Sequence, residues 1–163
     1  MRIIGIDGAT VKTGIAVFDD GEYVAHKLIK ISGDADVRIP KMMMAICNYI
    51  KEYQPDKIIM EKSMLTNNID TVQKLSNLAG AVMFYCYSRG IPFEHQYPSQ
   101  WRKKIGLTQG SKVKKEVLKA EAIAAVKQEY GMDLTDDESE AILIARSGFD
   151  LPKIALVDDD WDI

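Results

Sequence analysis

Four acidic residues of this chain have apolar neighbours where water would be expected. Asp7 closes the run Ile3-Ile4-Gly5-Ile6, Glu61 closes Lys57-Ile58-Ile59-Met60, and Asp137 and Glu140 stand three apart in a late helical pattern. That spacing puts the last two on nearly one helix face, in the same rows as Ala141, Ile144 and Ala145, so the face looks towards protein. A carboxylate at the margin of an apolar surface is costly unless something neutralises it. If the strands ending in Asp7 and Glu61 are parallel neighbours, both acids leave the sheet at one edge, and four converging carboxylates call for divalent cations. Hard oxygen donors select Mg2+ or Mn2+, and two such ions about 3.5–4 Å apart can clamp the attacking water and the leaving oxygen of a phosphodiester. The constellation predicts phosphoryl chemistry.

Each acid also has a plainer reading. Asp7 alone suits a turn as well as a ligand. Asp136 and Asp137 complement a helix macrodipole, and Glu138 completes a capping box with Thr135. Glu61 gains nothing structural by closing an Ile-Ile-Met run, and Glu140 lies past the first turn, so these two point to function. His26 and His95 lie in strand patterns without a Ser or Cys partner, which argues against a nucleophilic triad. The Met42-Met43-Met44 run and Phe84, Tyr85 and Tyr87 read as core or interface packing rather than a cofactor box.

The elements that must hold these acids follow from periodicity. Strands are expected at 2–7, 14–18 and 22–31, with a turn at 8–13 and a hairpin signal in Asp19-Asp20-Gly21. A helix over 36–53, a doubly buried strand over 57–61, a helix over 68–88 and a fifth strand from 91 to about 97 come next. Further helices are expected over 111–130 and 135–148, and an Asp-rich tail ends the chain at 157–163. This order predicts an α/β fold: a mixed sheet, antiparallel then parallel, flanked by helices, with ligands at the carboxyl ends of the strands.

A chain of 163 residues, 47% hydrophobic and 28% charged, matches one domain with its own core. No apolar run reaches the ~18 residues of a membrane span, and Met1-Arg2-Ile3 enters a strand pattern directly, so neither leader nor anchor is expected. Cys47 and Cys86 lie in separate helical stretches, which suggests no disulfide or zinc framework and a reducing, cytoplasmic setting. The net charge of −3 disfavours a generic nucleic-acid binder, yet residues 97–130 carry eight basic side chains against three acids. Arg102, Lys103, Lys104, Lys112, Lys114 and Lys115 are the candidate phosphate contacts of that segment.

Ile3-Ile4-Gly5-Ile6-Asp7 followed by Gly14, Pro55-Asp56-Lys57-Ile58-Ile59-Met60-Glu61, the Asn68-Ile69-Asp70…Lys74-Leu75 helix through Gly80, Gly110-Ser111 and Asp137-Glu138-Ser139-Glu140-Ala141 occur in that order. In these stretches, which span most of the chain, the sequence resembles the RuvC-type Holliday-junction resolvases of the RNase H-like superfamily, in a form closer to phage or Gram-positive variants. The resemblance implies a five-stranded RNase H-like sheet in a single domain, 1–163. It implies that Asp7, Glu61, Asp137 and Glu140 bind two Mg2+ ions and that a homodimer, joined by the helix from Asn68, nicks branched DNA symmetrically. Lys103 and Lys114 fall where the family has DNA-contacting lysines, and Met64 where it often has an aromatic junction wedge. Glu140 departs from the Asp or His that usually completes the tetrad, and its extra methylene bears on metal spacing.

Rival readings are weaker on the same residues. Asp7-Gly8-Ala9-Thr10 with Gly14 also resembles the phosphate loop of actin-like ATPases and sugar kinases, which need two such domains. A YqgF- or RNase H-like nuclease acting on RNA or an RNA–DNA hybrid is a second alternative, disfavoured by the long basic segment. A non-catalytic junction-binding protein is a third, disfavoured by the presence of all four acids.

Overall fold

The computed structural model describes residues 1–63, 68–109 and 113–156. Near-continuous buried runs make β1 (Arg2–Asp7) and β2 (Lys12–Asp19), an alternating edge makes β3 (Glu22–Lys30), and the three form an antiparallel meander. α1 (Ala35–Tyr53) runs unbroken through Pro40 and returns the chain to β4 (Lys57–Glu61), which lies parallel to β1 with Ile6 opposite Met60. α2 (Ile69–Ser88), capped by the Asn68 side chain, leads to β5 (Phe93–Gln96), parallel to β4. The sheet order is β3-β2-β1-β4-β5. The expected parallel neighbours are therefore present, and the carboxyl ends of β1, β4 and β5 share one edge.

Strand alternation sorts the side chains into two cores. Ile4, Ile6, Ile15, Val17, Ile58 and Met60 pack under α1 and α2 with Met42, Ile46, Leu78 and Val82. Ile3, Ala16, Phe18 and Ile59 face the other way, against Trp101, Ala125, Ile142 and Ile144. Odd-numbered positions of β1 and β4 thus look towards the second helical layer, and Asp7 and Glu61 are the next odd positions of their strands.

That layer consists of α3 (Pro98–Ile105), α4 (Lys115–Tyr130) and α5 (Asp136–Arg146). The α3 helix is not among the expected elements. α4 begins at Lys115 rather than at 111, residues 110–112 being outside the described set, and α5 ends two residues short of Gly148. Met64, Lys112 and the Asp-rich tail also lie outside the described residues. Cys47 and Cys86 are buried free thiols. No helix among the described residues is long and apolar enough to cross a membrane.

Candidate active site

Three elements deliver the four acids to one cleft. Asp7 and Glu61 come from the adjacent carboxyl ends of β1 and β4, and Asp137 and Glu140 from the first two turns of α5. α5 can lie this low because the strands beneath it carry no side chain where it crosses. A Cβ on Gly14 would overlap the backbone carbonyl of Asp137, and one on Gly5 would overlap the backbone at Ala141 and Ala145. The Thr135–Glu138 capping box fixes where α5 starts. Thr135 N–H donates to Glu138 Oε2 at 3.2 Å, and the Glu138 N–H returns to the Thr135 hydroxyl at 3.4 Å. Glu138 is thereby spent on structure, and Asp137 and Glu140 remain for the cleft.

The cleft has a volume of about 720 Å³, and Asp7, Glu61, Asp137 and Glu140 all line it. Its electrostatics are those of a crowded acidic pocket that Arg102, Lys115 and Lys119 compensate only in part. Burial, with Glu61, Glu140 and Asp137 close by, holds the Asp7 carboxyl well above its usual range. Burial and then Glu61 push Glu140 up to about 7, against the opposing pull of Arg102 and Lys119. Glu61 and Asp137 are also raised, both chiefly by burial. Protons are held there because burial and mutual repulsion outweigh the pull of Arg102, Lys115 and Lys119, which also line the cleft.

Among the described residues, no three acidic, imidazole or thiol groups stand close enough to form a finished cation cage. Neighbouring donors engage two of the four acids and Asp136 beside them. The Trp101 indole N–H donates to Glu61 Oε2 at 2.7 Å, Arg102 Nη1 lies 4.0 Å from Glu140 Oε1, and Lys119 pairs with Asp136. By chemistry the donor set still fits a divalent cation: four hard oxygen ligands, desolvated, proton-retaining, and facing free volume.

The basic residues divide. Lys103, Lys104, Lys114 and Lys115 are exposed, and Lys115 lines the cleft. Arg102, expected as a phosphate contact, lies in the cleft wall rather than on the surface. It is 2% exposed and spends its guanidinium inside the fold, on Glu121, Thr108 O at 2.7 Å and Leu118 O at 3.2 Å. Its role is to bind α3 to α4 and to the loop after α3. Trp101, the partner of Glu61, has no place in the sequence reading, and Gly14, which appears there only within the stretch after Asp7, is the seat of α5. Pro98 at the helix start and Gly106 just past its end bracket the eight residues of α3, and that pair was the available signal.

The family model described as "Crossover junction endodeoxyribonuclease RuvC" matches residues 3–145. A crossover junction endodeoxyribonuclease RuvC of Xylella fastidiosa strain Temecula1 is 25% identical over 151 residues, covering 88% of this chain and 85% of that protein. Among solved structures, the Thermus thermophilus RuvC in complex with a Holliday junction substrate aligns with a TM-score of 0.72 at 17% identity, over 90% of this chain and 91% of that one. The fowlpox virus resolvase, solved with substrate Holliday junction DNA, aligns with a TM-score of 0.63 at 14% identity over 91% and 96% of the two chains. At such identities the structural matches establish the fold, which is the five-stranded mixed sheet of those resolvases.

Proposed function

The chain belongs to the RuvC family of crossover junction endodeoxyribonucleases, and from that premise we propose that it resolves four-way DNA junctions by cation-dependent hydrolysis in the cleft of Asp7, Glu61, Asp137 and Glu140. The observation that carries this reading is the gathering of these four carboxylates from three elements around one cleft, with Asp7 and Glu140 held above their usual range by burial and by their acidic neighbours.

Asp7, Glu61, Asp137 and Glu140 would hold two Mg2+ ions, with Mn2+ able to substitute. When bound, such ions supply charge neutralisation, a more acidic water and stabilisation of the departing 3′ oxygen. The side chains of this protein set the geometry. Asp7, at the end of β1, lies under the electrostatic influence of the other three acids, and Glu61 also acts on Glu140. The water oxygen attacks phosphorus, the P–O3′ bond breaks and the 3′ oxygen takes a proton, which leaves 5′-phosphate and 3′-hydroxyl ends. Lys115 at the cleft and exposed Lys103, Lys104 and Lys114 beside it suit the phosphate backbone of a junction arm without reading sequence.

Paired nicks need two sites, and a homodimer supplies them. The exposed apolar patch of α2 supports that assembly: Met83 and Phe84 each lie one turn before Tyr87, with Phe84 72% and Tyr87 85% exposed. Two buried free thiols fit a reducing cytoplasm.

Incubation with a labelled four-way junction, a linear duplex and an RNA–DNA hybrid, each in Mg2+ and in EDTA, tests the proposal. Symmetric paired nicks confined to the junction and to Mg2+ are expected. Preferential hybrid cleavage, or junction binding without cutting, would overturn it.

A further inference from the structure

Every acid in the cleft has a cleft-facing reason to be there, but the tightest contact any of them makes points away from the cleft. Glu61 Oε2 accepts from the indole N–H of Trp101 at 2.7 Å, and Trp101 is wholly buried. We infer that Trp101 is a positioning residue of the nuclease centre, whose indole N–H pins one oxygen of Glu61 so that only the other is presented to a divalent cation. The inference rests on the nuclease reading above and goes beyond it.

An indole offers one donor and no acceptor, and once buried it must find a partner. Backbone carbonyls commonly serve; here the partner is a site carboxylate 40 residues away in the chain. The ring does not owe its place to Glu61. It is fixed by the core it shares with Ile59, Ile142 and Ile105, and by the guanidinium of Arg102, 5.1 Å from its centre and itself locked to Glu121. The donor is therefore rigid and the acceptor is not, because the terminal torsion of a Glu side chain is broad. A fixed N–H selects one orientation of the carboxylate plane. Groups that orient metal ligands in this way commonly change metal affinity by about 10–100-fold.

The test uses the full chain. Mn2+ binding to Trp101→Phe and to the unsubstituted protein is followed by calorimetry and by the metal-induced rise in Tm, together with junction binding in EDTA. Mn2+ affinity is expected to fall roughly ten-fold or more, with junction binding in EDTA unchanged. A folded variant that binds Mn2+ within about two-fold of the parent would overturn the inference. A parent protein with no saturable Mn2+ binding would instead overturn the nuclease reading. If Trp101→Phe does not fold, the indole N–H resonance of the parent decides, assigned by its survival in Trp161→Phe. Movement of that resonance during Mg2+ titration and in Glu61→Gln is expected, and a stationary resonance overturns the inference.

Discussion

Asp7 sits beside three other carboxyl groups, and the loss of its own has two opposite consequences. Asp7→Asn is expected to reduce junction cleavage on the order of 10³-fold or more, because a hard anionic ligand is lost. The same change removes a carboxyl that burial first and its acidic neighbours second penalise in the fold, so it should raise the metal-free Tm near neutral pH while junction binding persists. A lower Tm together with lost binding would make Asp7 a structural residue. The raised carboxyls also set a pH dependence. Glu140 titrates near 7 when folded and near 4.5 as a free side chain, so across that window the folded chain holds more protons than the unfolded one. Stability then falls as pH rises through the window and levels off above it. A metal-free thermal series from about pH 5 to about pH 7.5 should show that decline, and added Mg2+ should offset it at the upper end. Since cations compete with protons for these oxygens, cleavage at limiting Mg2+ should climb through pH 7 and shift to lower pH when Mg2+ is saturating. A flat profile at both Mg2+ levels would contradict the proton-retaining cleft.

Among the elements, α5 depends on an absence of side chains beneath it. Gly14→Ala places a methyl group against the Asp137 carbonyl, where backbone rather than a flexible side-chain end must yield. Overpacking of this kind costs about 1–3 kcal/mol, and it tilts the helix that carries two of the four acids. Denaturant melts should register the loss, and cleavage should fall further than the stability change explains. Arg102 is the corresponding pin for α3. Its replacement by Leu leaves the partly buried Glu121 without its ion partner and the Thr108 and Leu118 carbonyls without donors, a loss of about 3 kcal/mol measurable by the same melts. Arg102 also shows where sequence reading fails. In a run of Arg102-Lys103-Lys104 all three look like surface charge, and only the fold turns one of them inward. Strand endings at Asp7 and Glu61, the α2 stripe and the Thr135 cap were legible because each is a local pattern. The short α3 was not, because a basic octet gives little apolar periodicity, and the Trp101–Glu61 bond joins positions 40 residues apart.

For the whole molecule, assembly and charge placement govern how the cleft meets DNA. Phe84→Glu with Tyr87→Glu should convert a dimer to a monomer in sedimentation equilibrium, leave the fold intact by circular dichroism, and replace paired nicks with single, uncoupled ones. A dimer that survives both changes would remove α2 from the interface. Junction affinity should fall steeply with salt through the lysines of the α3–α4 segment, and Lys115→Ala should reduce the salt slope by about one. These effects presuppose that carboxylates far apart in the chain close on shared cations, and the most direct measurement is a crystal soaked in Mn2+ and recorded for anomalous scattering. The account predicts two peaks in the cleft, each within about 2.0–2.3 Å of carboxylate oxygens drawn from Asp7, Glu61, Asp137 and Glu140. Peaks bound only elsewhere, or a cleft that stays empty at saturating Mn2+, would contradict it.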